Sequence, residues 1–526
     1  MDAPVADPAV AALVERFTSA APDQLDPAYQ ELVSALWQEG GLTPLARGAA
    51  GELVARLPAL DEVRQGRLAI LLGLLTEAAE PAAGGELVAA IRRGVGGYLR
   101  LWERATPGRP LWHALLYLLA HFPDDRERIL AVAADRRLDP DDRSRLDRAL
   151  QQFDPDHPVI GRVFPAPSVW ALDQAEREFD QAWIAALAPA KVLENWLKDT
   201  RTVLGHLGAK AYWAVRHRAP VAAVPNVPTV ASPGQVPAPP APPAAPAAAG
   251  AELFRSGAAA LRCPACHAPL RVDPDPVGCP GCPARYRLAG GILDLSQPLP
   301  SQVGVDADLL MKLSEMPSMG RFYEQQARPA FLRVSGSNWG GLVTPAGERD
   351  YLARHTRPVA GPVLDLGAGA GTWTAMLAET VGAERVIALD MALPMLTALR
   401  QRLPAVPAVR ATARDLPFAD ASLGAVNCWN ALQAFPDDAP AAIAEIGRCL
   451  RPGGTLTLMT YQQSPDPVYR HFVSRHHFPQ HQAGLRLFDL AQLQDWLAGA
   501  GLAVRHQDYP GTFVFLTAVR NGRSRP

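Results

Sequence analysis

The stretch Val363-Leu-Asp-Leu-Gly-Ala-Gly-Ala-Gly371 is an apolar run interrupted by an acid and followed by three alternate glycines. It predicts a buried strand that turns at once into a helix beginning near Thr372. Glycine is wanted at Gly367, Gly369 and Gly371 because the backbone there takes conformations that a Cβ forbids, and because a ligand must approach the main chain. Such a turn, with a helix N-terminus behind it, is where nucleotides sit in α/β proteins. A dinucleotide fingerprint wants Gly or Ala three residues after the second glycine, and Thr372 stands there instead.

A second apolar run, Arg385 to Asp390, ends in an acid about twenty residues beyond the loop, where the ribose hydroxyls of an adenosine would lie. Asp390 therefore suits either NAD or S-adenosylmethionine. Further along come Arg414-Asp-Leu-Pro-Phe-Ala-Asp-Ala-Ser422, an apolar strand near Ala425 to Trp429, and Leu450-Arg-Pro-Gly-Gly-Thr-Leu456, which opens another strand.

This ordered set, spanning roughly residues 320 to 520, resembles the class I S-adenosylmethionine-dependent methyltransferases, in particular the branch acting on quinones, lipids and other small molecules. The resemblance implies a Rossmann-like α/β domain at 351–526 with a seven-stranded mixed sheet. It also implies S-adenosyl-L-methionine as cofactor and a small-molecule acceptor methylated on oxygen or carbon. By the same resemblance Asp365, Gly367, Ala368, Gly369 and Gly371 face the methionine part, and Asp390 with Met391 faces the ribose. Thr412, Ala413, Arg414 and Asp415 lie beside the adenine, and Asn430 completes the contacts. Two segments depart from the family. Thr412 stands where Asp is usual, leaving a hydroxyl to accept from the adenine amine, with Asp415 as an alternative acceptor. Leu423-Gly424 replaces a Phe-Asp pair.

Four of the six cysteines stand as Cys263-x-x-Cys266 and Cys279-x-x-Cys282, with twelve residues between the pairs. Two knuckles of that spacing aim four thiolates at one tetrahedral ion, so 255–300 reads as a small ribbon on a structural Zn2+ with no open coordination position. So short a segment buries too little apolar surface to fold unaided, and metal binding contributes on the order of 10 kcal/mol in comparable peptides. His267, beside Cys266, is not needed as a ligand. Cys428 and Cys449 read as small core residues. The ribbon, with Tyr286 and Gly291-Ile-Leu-Asp-Leu295, and the block Met319-Gly-Arg-Phe-Tyr-Glu324 with Arg328-Pro and Phe331, resemble the ribbon-bearing methyltransferases of bacteria and plastids. A second ribbon-bearing group methylates ribosomal RNA, which makes an RNA base the alternative acceptor. Residues 301 to 526 carry 21 basic against 19 acidic residues, and no basic face argues for RNA.

Residues 1–218 read as helical throughout, an irregular bundle or HEAT-like stack. Apolar residues recur at helical spacing, as at Leu32 and Leu36 or at Leu68, Leu71, Leu72 and Leu75, and breaks fall near positions 22, 40, 58, 81, 107, 123 and 139. Leu111 to Phe122 is apolar almost all round and predicts a central buried helix, with His113 and His121 as core histidines. Trp170, Trp183, Trp196 and Trp213 read as core aromatics. Residues 219–250, with ten prolines, predict an extended tether that lets the helical domain move relative to the rest. With no catalytic constellation in it, that domain reads as a dock for a protein or carrier partner, and a cofactor-binding scaffold is the third reading of the whole.

At 526 residues and 48% hydrophobic content the chain makes about three domains, and its net charge of -2 draws it to neither nucleic acid nor anionic lipid. It shows no secretory leader and no apolar run long enough for a membrane span, which predicts a cytosolic protein.

Acceptor-side groups come from segments capping the carboxyl ends of the strands. These are the helical segment at 301–350 (particularly Phe322 to Gly341), the loop Asn430 to Phe435, and the insertion Tyr461 to Arg486 with His471, His476, His477 and His481, which reads as a solvated polar lid. A hydroxyl acceptor calls for a base, for which His476, His477 and Tyr323 are the candidates and Glu324 and Tyr461 their rivals.

Overall fold

The computed structural model describes residues 8–79, 85–136, 138–158, 184–222, 250–272, 276–296, 338–476 and 484–522, together with residues 178, 182 and 320. The first part is helical. Its helices are α1 (Pro8–Ser19), α2 (Leu25–Leu36), α3 (Ala46–Arg56), α4 (Glu62–Ala78), α5 (Gly85–Arg92), α6 (Val95–Arg104), α7 (Pro110–Leu119), α8 (Arg126–Ala134), α9 (Pro140–Ala149) and the long α10 (Pro189–His217). The breaks between helices fall where Pro, Gly and Asp clusters place them. Leu111 to Leu119 are all buried, so α7 is the central helix that its all-round apolar sequence requires. His113 is a core residue, 5% exposed, and burial lowers its pKa to about 4. Residues 1–218 are not helical throughout, because α2 and α3 are separated by a small hairpin of β1 (Trp37–Gln38) and β2 (Gly41–Leu42). It turns on Glu39 and Gly40, both with positive φ.

The ribbon contributes β3 (Val277–Gly278), β4 (Arg285–Ala289) and β5 (Ile292–Asp294). After α11 (Pro345–His355) the chain alternates: β6 (Val363–Leu366), α12 (Thr372–Val381), β7 (Val386–Asp390), α13 (Leu393–Arg402), β8 (Ala408–Arg410), β9 (Leu423–Trp429), α14 (Ala439–Cys449) and β10 (Leu450–Tyr461). Then come α15 (Pro467–Ser474), α16 (Leu490–Gly499) and the antiparallel closing pair β11 (Leu502–Asp508) and β12 (Phe513–Arg520).

Among the described residues the sheet has ten strands, in the order β11-β12-β10-β9-β6-β7-β8-β5-β4-β3, rather than the seven expected. Seven come from the C-terminal region. The other three belong to the ribbon, because β5 runs parallel to the edge strand β8 with Leu293 opposite Val409 and Asp294 opposite Arg410. An uncovered edge would leave a row of unpaired backbone groups, and the ribbon covers this one. The two units also share one core: Phe254, Leu261, Leu270, Val277 and Leu293 pack in the same cluster as Leu364, Ile387, Val409 and Phe418. The ribbon's shortage of apolar burial is thus met by its neighbour. Gly424 accounts for one departure from the family pattern. A Cβ there would come within 2.5 Å of the Val359 carbonyl and 3.1 Å of those of Ala360 and Gly361, so no side chain fits.

The insertion helix α15 is not a solvated lid. Val468, Tyr469, Phe472 and Val473 are buried in the core of the helical domain, beside Leu207, Tyr212 and Tyr117. Asp466 caps α15 by accepting from the amides of Val468 and Tyr469, and it also takes the Tyr212 hydroxyl of α10 at 2.7 Å. Trp339 joins the same core and packs edge-on to His206. The helical domain is therefore packed onto the C-terminal region, not held by a tether alone. Of the tether, residues 223–249 lie outside the described residues.

Candidate functional site

The glycine loop leaves β6 as anticipated, with Gly367, Gly369 and Gly371 at φ +72°, +54° and +94°. The amides of Gly367 and Ala368 donate to the Leu389 carbonyl at 2.8 and 3.0 Å, which pins the loop to the end of β7. At two of the glycines the protein itself fills the space in question. A Cβ on Gly367 would overlap Ala431, and one on Gly371 would come within 2.9 Å of Leu399. Close packing, besides backbone conformation, demands glycine there.

Asp365 is 2% exposed, and both oxygens meet protein donors: Thr374 of α12 at 2.6 Å and Asn427 of β9 at 2.7 Å. Burial pushes its carboxyl up to about 6 against the pull of those two bonds, with the Asp390 charge adding to the rise. Its visible part is to tie β6 to α12 and β9. Asp390 accepts from Gly369 N–H at 2.9 Å and from Ala392 N–H at 2.8 Å. Burial raises its pKa, and the amides of Ala392, Gly369 and Met391 pull it back. The Met391 carbonyl takes Arg410 Nε at 3.0 Å. Asn430 follows β9 with φ +57°, buried, its side-chain oxygen taking Gln433 Nε2 at 2.9 Å. Asp365, the glycine loop, Asp390 and Asn430 thus meet at the carboxyl ends of the neighbouring strands β9, β6 and β7, the crevice where α/β sheets bind ligands.

Thr412, Ala413 and Arg414 continue from β8. The Thr412 hydroxyl accepts Arg414 N–H at 3.2 Å and retains a lone pair, while Arg414 reaches out to Asp438 at 3.4 Å. Asp415 is turned the other way. One oxygen meets Arg262 Nη2 at 2.6 Å and the other meets His267 Nε2 at 3.4 Å, so its carboxylate faces the ribbon.

The sulfur atoms of Cys263, Cys266, Cys279 and Cys282 lie within 4.8 Å of one another, with 3.8 Å between Cys263 and Cys282 and 3.5 Å between Cys266 and Cys279. A Zn–S bond of about 2.3 Å in a tetrahedron requires S···S separations of roughly 3.8 Å; the Cys263–Cys282 and Cys266–Cys279 separations lie at or just below that value, and both exceed the roughly 2.05 Å of a disulfide. The donor set therefore fits the ion expected. Tyr286 donates to Cys263 Sγ at 3.0 Å, and Gly281 N–H points to Cys279 Sγ at 3.3 Å. Cys428 and Cys449 are fully buried core residues whose thiols burial pushes up to about 12.

The proposed bases gather at no shared site among the described residues. Tyr323, Glu324, His477 and His481 lie outside them, as do Trp170, Trp183 and most of the 301–350 segment. His476 follows α15, its N–H on Val473 O and its carbonyl taking Leu485 N–H at 2.8 Å. Tyr461 is fully buried against Phe513. His471 is committed elsewhere: its Nε2 meets Glu77 of α4 at 3.2 Å and its ring stands edge-on to Trp37. The sequence held no signal for that Glu77 contact, because the partners are 394 residues apart.

Residues 363–454 match a family model described as a methyltransferase domain. An uncharacterized chloroplastic methyltransferase of Arabidopsis thaliana is 26% identical, over 44% of this chain and 65% of its own. Trans-aconitate 2-methyltransferase of an Acidovorax species is 35% identical over 29% and 53%, and demethylmenaquinone methyltransferase of Corynebacterium kroppenstedtii is 40% identical over 20% and 44%. The chain thus spans 65% of the length of the first of these relatives and about half of the second. Among the described residues no helix is long and apolar enough to cross a membrane. Residues 363–454 of this chain, which hold the glycine loop, Asp390 and Asn430, are thus similar to a methyltransferase domain.

Proposed function

We propose that this protein transfers a methyl group from S-adenosylmethionine to an oxygen or carbon of a small-molecule acceptor, and that the four ribbon thiolates hold a structural Zn2+. The observation that carries the reading is the placement of the glycine loop, Asp390, Asn430 and the Thr412 segment at the carboxyl ends of the neighbouring strands β9, β6, β7 and β8. When bound, the cofactor supplies an electrophilic methyl on a sulfonium, so no nucleophilic side chain is required.

The chain's own residues bind and orient. Asp390 retains lone pairs for two ribose hydroxyls beyond the amides it already accepts. Thr412 offers its remaining lone pair to the adenine amine. Asp365 acts through its neighbours, holding Thr374 and Asn427 so that the loop keeps its shape. Orientation of this kind accounts for roughly 7 to 11 kcal/mol of a barrier. We assign the helical domain the task of holding α15 and the Asn338–Val343 segment, both of which lie beside the acceptor side in the order of the chain. For a hydroxyl acceptor the base is sought among His476, His477 and Tyr323.

Relatives named for trans-aconitate and demethylmenaquinone support a small acceptor at the level of class. Titration calorimetry with S-adenosylmethionine tests the shared premise: Asp390→Ala and Thr412→Val should weaken binding about tenfold or more, and unchanged affinity in both rejects it. Tritium transfer into small-molecule, RNA and protein fractions then identifies the acceptor, and label confined to RNA would reject a small one.

A further inference from the structure

The first cysteine knuckle is bolted to the adenine segment from both of its ends. Arg262 immediately precedes Cys263 and His267 immediately follows Cys266, and these two residues contact the two oxygens of Asp415, at 2.6 and 3.4 Å. Arg262 does more. Its Nε donates to the Leu416 carbonyl at 3.2 Å, its backbone N–H donates to Pro417 O at 3.0 Å, and its Nη2 reaches Glu445 at 3.3 Å. Glu445 in turn accepts the Leu416 amide at 2.8 Å and pairs with Arg448. The guanidinium side chain is only 11% exposed, so these contacts are largely shielded from water.

A second strut runs from the ribbon to the ribose side. Asp294 of β5 pairs with Arg410 of β8 at 3.2 Å, and the same guanidinium donates through Nε to the Met391 carbonyl, one residue past Asp390. The ribbon therefore reaches both segments that are assigned to the adenosine, through Asp415 and through Arg410.

We infer that the four-thiolate site and the adenosine site are thermodynamically linked, with Arg262, His267 and Asp415 as positioning residues that transmit the state of the first knuckle to Thr412–Leu416. This rests on the cofactor reading above. The physical reason is geometric: the places of Arg262 and His267 are set by Cys263 and Cys266, and those two ligands keep a common centre only while the ion holds them. With the ion lost, both partners of the Asp415 carboxylate are released together, and the segment that follows β8 loses its fixed end. Linkage requires the reverse as well, so an adenosine ligand must tighten the metal.

The test uses the full zinc-loaded chain and S-adenosylhomocysteine, which binds without turnover. Zinc affinity is measured by competition with a chromogenic chelator, with and without saturating ligand. The expected result is a rise of about tenfold in zinc affinity on adding the ligand, within the usual range of coupling between sites. Asp415→Asn and Arg262→Lys should still bind one zinc per chain but show a rise of under about twofold, since each removes the charged fork without touching a thiolate. A zinc affinity that is equal with and without ligand in the unaltered chain overturns the linkage, and so does a full rise retained in both variants. Calorimetry on the same samples separates the two levels. If the homocysteine derivative does not bind at all, the cofactor reading falls; if it binds and zinc affinity stays constant, only the linkage falls.

Discussion

The ring of Phe472 in α15 fills the space that a Cβ on Gly208 of α10 would need, two residues that lie on either side of the proline-rich tether. One turn earlier on α10, Gly205 lies against Arg475, where a Cβ would come within 2.6 Å of the Arg475 Cβ and 2.8 Å of the Phe472 carbonyl. A groove of small residues on the long helix thus receives the insertion helix, and the two halves of the chain close over a common core.

Phe472 is 1% exposed, so Phe472→Ala should cost about 3 to 5 kcal/mol. Urea unfolding followed by tryptophan fluorescence reads this directly. A loss below about 1 kcal/mol would mean that α15 is not part of the helical domain's core.

Glu77 is a buried carboxylate that accepts from Tyr117 at 2.6 Å and meets His121 at 3.3 Å and His471 at 3.2 Å. Burial alone would raise its pKa, but the hydrogen bonds and charges of the two histidines outweigh it and hold the group well below its ordinary 4.5. Because the folded value is depressed, the stability it contributes is present above about pH 4.5 and is lost as the pH falls into the acid range. Glu77→Gln should therefore cost about 3 kcal/mol at pH 7 and flatten the acid limb of a stability-against-pH curve. An acid limb unchanged in the variant would exclude Glu77 as its source.

Asp365 behaves with the opposite sign. Its folded pKa of about 6 lies above the ordinary 3.8, so the folded state holds the proton more tightly and stability declines as pH rises from about 4 to 6. Asp365→Asn, which keeps the shape, should remove that decline and gain on the order of 2 to 3 kcal/mol at neutral pH. Thermal melts of both proteins at pH 4 and pH 7 make the comparison, and parallel curves would refute it.

Gly367→Ala forces an L side chain to φ +72° and drives its Cβ into Ala431. The single change should cost roughly 3 kcal/mol, the overlap accounting for most of it and the backbone for about 1. Adding Ala431→Gly should recover about 2 kcal/mol of it by relieving the overlap and leaving the strain. If the double variant were no more stable than the single one, the contact between the loop and the residue after Asn430 would not be the constraint.

Much of this was legible in the chain because it is local. The glycine loop, the acid closing β7, the paired Cys-x-x-Cys knuckles, the breaks between helices and the uniformly apolar α7 each depend on neighbours a few residues away, and each stands where the sequence places it. Other features depend on partners that the chain brings together from afar. His471 read as part of a polar lid, because nothing near it in sequence shows that Glu77 and Trp37 wait for it. Asp415 read as an adenine contact for the same reason, with Arg262 lying 153 residues away.

The chain spells out its own parts: a helical region, a segment with four paired cysteines and an alternating α/β domain with a glycine turn. How these parts are joined appears only in the folded chain, the ribbon as strands eight to ten of the sheet and the helical region through a helix lent by the C-terminal domain. Periodicity records which face of an element is buried but not what buries it. An open strand edge or a groove of glycines acquires its partner only when the whole chain has folded.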